Sequence, residues 1–501
     1  MSENYRGRPG AGNRPDRGRP HPPVDAPRLL AARALIDVDE KGQFANLILP
    51  KMLREEQSTN PGFTGQDAAF VSEIVYGTIR RQRTIDAVLE HYSTRPLTEL
   101  DPPVLACLRM GAYQLMYMRV PDHAAVSETV SATRELAGEG PSKAVNAILR
   151  SILRGGADSA AAQAVGRTPA RSKTGVETSH PDWIVDAYRE ALRLRGLGEE
   201  AVPEALEANN VAAQVSLVAR PGLVSPVDLA EEAEDILRVA AHQGNIAETS
   251  VILSGGDPGA LPSVRTGDAG VQDEGSQLAA LILANAPIGP GSDSRWLDLC
   301  AGPGGKAALL AALGRERGVS VVANEVSPNR ARLLERSVRA LDNVEVTVAD
   351  GRKFKSDHLF DRVLVDAPCL GLGSLRRRPE SRWNHAESDL DELLPLQWDL
   401  LRAGIALTRP GGVLAWVTCS PHRRETIDQV EHALESEPVH LLDATVVGES
   451  LTPELLSVGP GPGSDVREAT ARVVRETVQL WPHAHSTDAM FIALLQKNEQ
   501  P

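Results

Sequence analysis

Cysteine is scarce in this chain. Its 501 residues hold four, Cys107, Cys300, Cys369 and Cys419. They are too few and too scattered to staple a small fold with disulfides. No CxxC pair and no HExxH stretch occurs, so no metal site is expected. No apolar run reaches the length that crosses a bilayer, and "MSENYRGRPGAGNRPDRGRP" at the start lacks the apolar stretch of a secretory signal. Basic charge is also short. Lys and Arg number 53 against 67 Asp and Glu, a net charge of −14. That argues mildly against a surface coated in nucleic acid, because phosphate contacts need cations, and it leaves room for one basic patch. The expectation is a reduced, cytoplasmic protein with no membrane partner, whose oligomeric state is unreadable.

What is present divides along the chain. Residues 1–25 are rich in Gly, Pro and Arg, with five Arg and two acidic residues before Val24. They cannot bury enough apolar surface to order themselves, so a disordered tail is expected, in reach of RNA. Residues 26–155 carry apolar residues at helical spacing in "PRLLAARALIDV", "AAFVSEIVYGTI", "RTIDAVLEHY", "PPVLACLRMGAYQLMYM", "SETVSATREL" and "SKAVNAILRSILR". The pattern predicts an all-α bundle with Cys107 in its core. Residues 156–179 are small, polar and aperiodic, which predicts a linker. A mixed α+β subdomain is expected over 180–270, with short strands at "QVSLVARPG" and "SVILS".

From residue 271 to 501 the expectation is a single α/β unit. Strand-like "RWLDLC", "SVVANE", "VEVTVAD", "DRVLVDAP" and "VLAWVTC" alternate with helical segments, one of them spanning about 388–408. Such alternation implies a doubly wound, Rossmann-like parallel sheet. The polar residues gather at the carboxyl ends of these strands: Asp298 and Cys300, Glu325, Asp350, Asp366 with Cys369, and Cys419. Ligands of open α/β sheets bind along that edge. The turn "LDLCAGPGGK" supplies Gly302, Gly304 and Gly305 at a helix start, but its spacing matches neither GxGxxG nor the P-loop. Glu325 ends the second strand, where a carboxylate binds ribose hydroxyls, and Asp350 ends the third, where it can face an adenine. A nucleoside without a phosphate to grip suits S-adenosylmethionine better than NAD or ATP.

At this point "LDLCAGPGGK", "DAPCLGLGSLRRRPESRW" and "VTCS" together resemble the RNA cytosine-C5 methyltransferases. With the helical region before them, similar to the NusB fold, they resemble the RsmB (Fmu/Sun) type of small-subunit (16S) rRNA cytosine-C5 methyltransferase. "QDEGSQ" and "LWPHAHSTDAMFIALL" fit the edge motifs of that family. The resemblance implies that Cys300, Ala301, Gly302, Pro303, Gly304, Gly305, Lys306, Glu325, Asp350 and Asp366 bind S-adenosylmethionine. It implies that Cys419 is the nucleophile, that Cys369 assists product release, and that the partner is 16S rRNA or a small-subunit assembly intermediate.

The chemistry accounts for a cysteine at a strand tip. C5 of cytosine attacks a methyl sulfonium poorly until a thiolate has added to C6, and sulfur both attacks and leaves at neutral pH. Asp366 stands where a carboxyl group can hydrogen-bond the cytosine ring during that addition. Arg376, Arg377, Arg378 and Arg382 with Trp383, then Arg423 and Arg424, form a basic run with an aromatic, expected to hold RNA phosphates and stack a base. Three other readings compete. A non-catalytic NusB-like RNA-binding, antitermination or ribosome-assembly factor would not need both cysteines. An exocyclic-amine methyltransferase would carry [DNS]PP[YF] where "DAPC" stands. A DNA-type cytosine methyltransferase would attack with Cys369.

Overall fold

The computed structural model describes residues 25–452 and 466–499. The tail expected over 1–25 therefore lies outside the described residues but for Asp25. That residue caps the first helix, its side chain accepting from the Arg28 N–H. No helix among the described residues is long and apolar enough to cross a membrane.

Seven helices build the first region: Ala26–Lys41, Ala45–Thr59, Gly65–Arg80, Gln82–Tyr92, Pro102–Tyr117, Asp122–Ala137 and Glu139–Gly155. Two apolar clusters hold them together, and Cys107 is fully buried in one of them, its thiol pushed up to about 11 by burial. Helix Ala45–Thr59 was not legible in the sequence. Pro50 interrupts it, and it buries only Ala45 and Leu49, so the apolar period is too thin to read.

The linker expected over 156–179 is a second correction. It forms helices Ala157–Arg167 and Lys173–Thr178. The first buries a stripe made only of Ala160 and Ala164, one turn apart. Small side chains give such a stripe almost no hydropathy contrast, which is why the segment read as aperiodic.

Helices Asp182–Leu194 and Ala201–Ala208 lead to a four-stranded antiparallel sheet in the order β2-β3-β1-β4. Its strands are β1 (Val215–Ala219), β2 (Ala241–Gln243), β3 (Ser250–Leu253) and β4 (Ala269–Val271). β1 and β3 fall in the two expected runs; β2 and β4 span three residues each, too short to show an alternation.

The α/β unit has eight strands: β5 (Arg295–Asp298), β6 (Ser320–Asn324), β7 (Val344–Thr347), β8 (Phe360–Asp366), β9 (Thr408–Thr418), β10 (Val439–Leu442), β11 (Val478–Gln479) and β12 (Phe491–Lys497). Seven run in the order β10-β12-β9-β8-β5-β6-β7, and β11 pairs with β12. Contacts from β9 through β8, β5 and β6 to β7 are parallel, while β12 lies antiparallel to β9, β10 and β11. The strand order reverses at β5. The crevice beyond the carboxyl ends of β5 and β8 is therefore the topological switch point where such folds take ligands.

Candidate active site

The crevice opens into a cavity of about 600 Å³, a size that takes a small molecule. Cys300, Gly302, Pro303, Asn324, Glu325 and Asp350 line one side, and Asp366, Cys369 and Cys419 the other.

The turn after β5 shapes the first side. Gly304 caps helix Gly305–Arg315 in the left-handed region, at φ 110°, and a Cβ there would lie 2.8 Å from Ser337 Cβ and 3.0 Å from Leu334 Cα. Only glycine lets the turn pack so closely on the next helix. Ala301 is buried and its N–H donates to the Asn324 carbonyl at 2.7 Å, tying the turn to β6. Gly305 begins the helix that carries Lys306 into the crevice.

Glu325 is 3% exposed at the tip of β6. Its Oε2 accepts from the Gly302 N–H at 3.1 Å and its Oε1 from the Ser327 N–H at 2.9 Å, with Arg330 at 3.6 Å. The carboxylate is thus fixed in place with acceptor capacity left over, as a vicinal diol requires. Asp350 follows β7 and is held by Arg352 at 2.7 Å, which keeps its carboxyl below the usual range. Cys300 is half-buried; burial and the nearby carboxylates push its thiol far up. The fixed acceptor of Glu325 at the rim of the cavity fits S-adenosylmethionine.

Lys306 Nζ binds Asp366 Oδ2 at 2.7 Å, with the lysine side chain 10% exposed. Burial works against the ammonium, but Asp366 more than offsets it, so Lys306 stays charged well into alkaline pH. Asp298, the last residue of β5, is one of the expected polar strand ends but was given no binding or catalytic role. It is 1% exposed and neither carboxyl oxygen has a well-formed hydrogen bond. Burial first, then the neighbouring Asp366, pushes its carboxyl up to about 8.

On the opposite side the two cysteines meet, Cys369 Sγ to Cys419 Sγ at 3.5 Å. Cys419 directly follows β9 and Cys369 sits on the loop after β8. Contacts from residues outside the expected set hold that loop. Glu425 Oε1 accepts from the Leu370 N–H at 2.9 Å and from Gln397 Nε2 at 3.0 Å, and Gln397 also donates to the Pro368 carbonyl at 2.9 Å. The Gly373 N–H donates to the Cys419 carbonyl at 2.8 Å, and the Ala489 N–H to the Gly373 carbonyl at 2.9 Å. Tyr188 Oη donates to the Leu372 carbonyl at 2.8 Å. These partners lie up to 184 residues away, so no local pattern announced them. The hydrogen bond with Cys419, then burial, pushes the Cys369 thiol well above its ordinary value. Either sulfur can donate to the other.

The basic run is a correction. Arg382, fully buried, donates to the carbonyls of Arg80, Ser179 and Asn209 and to Asn210 Oδ1. Arg376 pairs with Asp488 and the Ser486 carbonyl, and Arg377 with Asp273 and Asp488. Trp383 packs on the helical core and donates to the Ile79 carbonyl at 3.0 Å. Arg382 and Trp383 bolt the helical region to the α/β unit, Arg376 and Arg377 are paired within that unit, and none of the four is free to meet RNA. The physical reason is that backbone carbonyls arriving from remote segments solvate the guanidinium groups inside the protein. Arg423 is engaged by Glu190 and Asp428. Arg378 and Arg424 remain exposed, without an ion pair among the described residues. Among those residues no cluster of three or more His, Cys, Asp or Glu could hold a metal ion.

Comparison with known proteins agrees with this geometry. Residues 286–496 match the family described as 16S rRNA methyltransferase RsmB/F, and residues 25–154 match the NusB family. The chain is 43% identical to a putative methyltransferase of Mycobacterium tuberculosis, over 96% of this chain and 98% of that one. It is 30% identical to a probable ribosomal RNA small subunit methyltransferase B of Bacillus subtilis, over 94% and 98%. Among solved structures it is similar to PH0851, with a TM-score of 0.71, 21% identity, and 94% and 99% of the two chains covered. A NusB-like helical region, a class I methyltransferase sheet and a glycine-rich turn facing two cysteines thus occur in one chain, which belongs to the RsmB/F family of S-adenosylmethionine-dependent rRNA methyltransferases.

Proposed function

We propose that the protein methylates C5 of a cytosine in 16S rRNA, as naked RNA or within a small-subunit assembly intermediate, in the cytoplasm, through a covalent bond between Cys419 and C6. The observation that carries this reading is the thiol pair. The two sulfurs lie 3.5 Å apart on the wall of a cavity that Asp366 also lines, and Lys306 Nζ holds Asp366 at 2.7 Å. Two sulfurs in contact at a ligand edge allow one to attack and the other to serve the later release step.

Cys300, Ala301, Gly302, Pro303, Gly304, Gly305, Lys306, Glu325, Asp350 and Asp366 form the cofactor side. Glu325 accepts from the ribose hydroxyls, and Asp350 faces the base. Bound there, S-adenosylmethionine supplies an electrophilic methyl group. Cys419 Sγ adds to C6 of the target ring and makes C5 nucleophilic. Asp366, steadied by Lys306, accepts from the exocyclic amine and holds the ring during addition. After methylation Cys369 assists loss of the C5 proton, which restores the C5–C6 double bond and expels Cys419. The target base must leave its stack to reach a strand tip, so a single-stranded or loop cytosine is the substrate.

The test is transfer of labelled methyl groups to small-subunit rRNA, followed by nucleoside analysis. 5-Methylcytidine is expected. A methylated exocyclic amine, or no transfer to any ribosomal RNA, would overturn the proposal.

A further inference from the structure

We propose that Phe44, from the helical region, is the stacking platform for a nucleotide flanking the target cytosine, with Arg378 holding that nucleotide's phosphate. The inference rests on the RNA reading above and adds a subsite to it.

Phe44 occupies the N-cap of helix Ala45–Thr59, a position that favours Ser, Thr, Asp or Asn, and it makes no side-chain capping bond. The capping duty has passed elsewhere: the Ala45 N–H is taken by Glu380 Oε1 at 3.2 Å. Nor does Phe44 serve the core. Phe63 and Phe70 join the helical apolar cluster, whereas half-buried Phe44 lines the cavity that holds Cys369, Cys419 and Asp366. It is the one contribution of the helical region to that wall among the described residues. The next turn carries Leu47, 69% exposed, which extends the apolar surface outward.

The Arg378 guanidinium carbon stands 5.8 Å from the centre of the Phe44 ring. Arg376 and Arg377 beside it are consumed by Asp273 and Asp488, so Arg378 is the member of the run left to bind an anion. An exposed cation over an aromatic face, at the mouth of a site that needs an extruded base, is the pair that single-stranded nucleic acid uses for one nucleotide. Extruding the target leaves its neighbour with an uncovered face, and Phe44 is placed to cover it. The platform is held firmly, because Glu380, Arg382 and Trp383 anchor the Arg378 segment to the same helical region.

The experiment uses the full chain and a transcript of small-subunit rRNA. Methyl-transfer kinetics, direct RNA binding, calorimetry with S-adenosylmethionine and thermal melting are measured for wild type, Phe44→Leu, Phe44→Trp and Arg378→Ala. Phe44→Leu keeps an apolar side chain but loses the ring face. It should raise KM for RNA and weaken RNA binding roughly ten-fold, with cofactor affinity and melting unchanged. Phe44→Trp should stay near wild type. Arg378→Ala should reduce the salt slope of RNA binding by about one. Wild-type RNA binding by Phe44→Leu, or equal losses in Phe44→Leu and Phe44→Trp, would overturn the inference. If wild type transfers no methyl group while RNA binding still depends on the ring, the methylation reading fails and this subsite stands.

Discussion

Replacing Gly373 with alanine tests how tightly the two cysteines depend on the C-terminal hairpin. A Cβ on Gly373 would lie 2.0 Å from the Ala489 carbonyl oxygen and 2.9 Å from that of Cys419. Both obstacles are backbone, so neither can rotate aside. The loop must withdraw by more than 1 Å to restore ordinary contact, and it carries Cys369 with it. Two hydrogen bonds are strained in the process, Gly373 to Cys419 and Ala489 to Gly373, each worth about 1 kcal/mol. With the overpacking itself, stability should fall by about 2–4 kcal/mol. A displacement of that size near reacting atoms costs on the order of 100-fold in rate. The assay is single-turnover methyl transfer to rRNA, beside calorimetry with S-adenosylmethionine and a thermal melt. The rate should collapse while cofactor affinity holds, because the turn after β5 is untouched. A variant with wild-type rate and wild-type melting would refute the account of the loop.

Three further outcomes are expected. Glu325→Ala should weaken S-adenosylmethionine by roughly 10- to 100-fold in calorimetry, since hydrogen bonds to a charged acceptor are worth about 1.5–3 kcal/mol each; unchanged affinity would remove Glu325 from the site. Asp298 keeps its proton in the folded protein up to about pH 8, whereas the unfolded chain loses it near pH 4, so unfolding releases a proton and stability falls as pH rises between those values. Asp298→Asn should abolish that fall, gaining on wild type by a few kcal/mol at pH 8 relative to pH 5 in denaturant titrations; parallel pH profiles would contradict the assignment. Arg382→Ala leaves buried carbonyls of Arg80, Ser179 and Asn209 without a donor, at about 1–3 kcal/mol each, and should lower the melting temperature sharply; a loss under about 1 kcal/mol would show that the contact does not hold the two regions together.

The parts of the fold that sequence disclosed are those with a strong local period. Alternating strands and helices from β5 to β9 set the order of the polar strand tips, and with it the cofactor edge. Helix Ala45–Thr59 escaped because Pro50 breaks its pattern, and Ala157–Arg167 because its buried stripe is alanine. The cysteines were legible as a pair at the ligand edge, but the grip of Glu425, Gln397 and Tyr188 on their loop was not, since each acts across a large sequence separation. The arginine run misled for the same reason. Charge on the page says nothing of the carbonyls that converge on Arg382 from residues 80, 179 and 209. Residues 376–384 thus join the helical region to the loop that carries Cys369, and Phe44 reaches the cavity through that junction.

The central claim is that Cys419 attacks and Cys369 releases. It is tested most directly by incubating Cys369→Ala and Cys419→Ala with rRNA and S-adenosylmethionine and resolving the products on denaturing gels. Cys369→Ala should transfer the methyl group and accumulate a protein–RNA species that disappears with RNase, while Cys419→Ala should form no adduct and no 5-methylcytidine. An adduct from Cys419→Ala and none from Cys369→Ala would reverse the two roles, and activity without adduct in both would contradict covalent catalysis altogether.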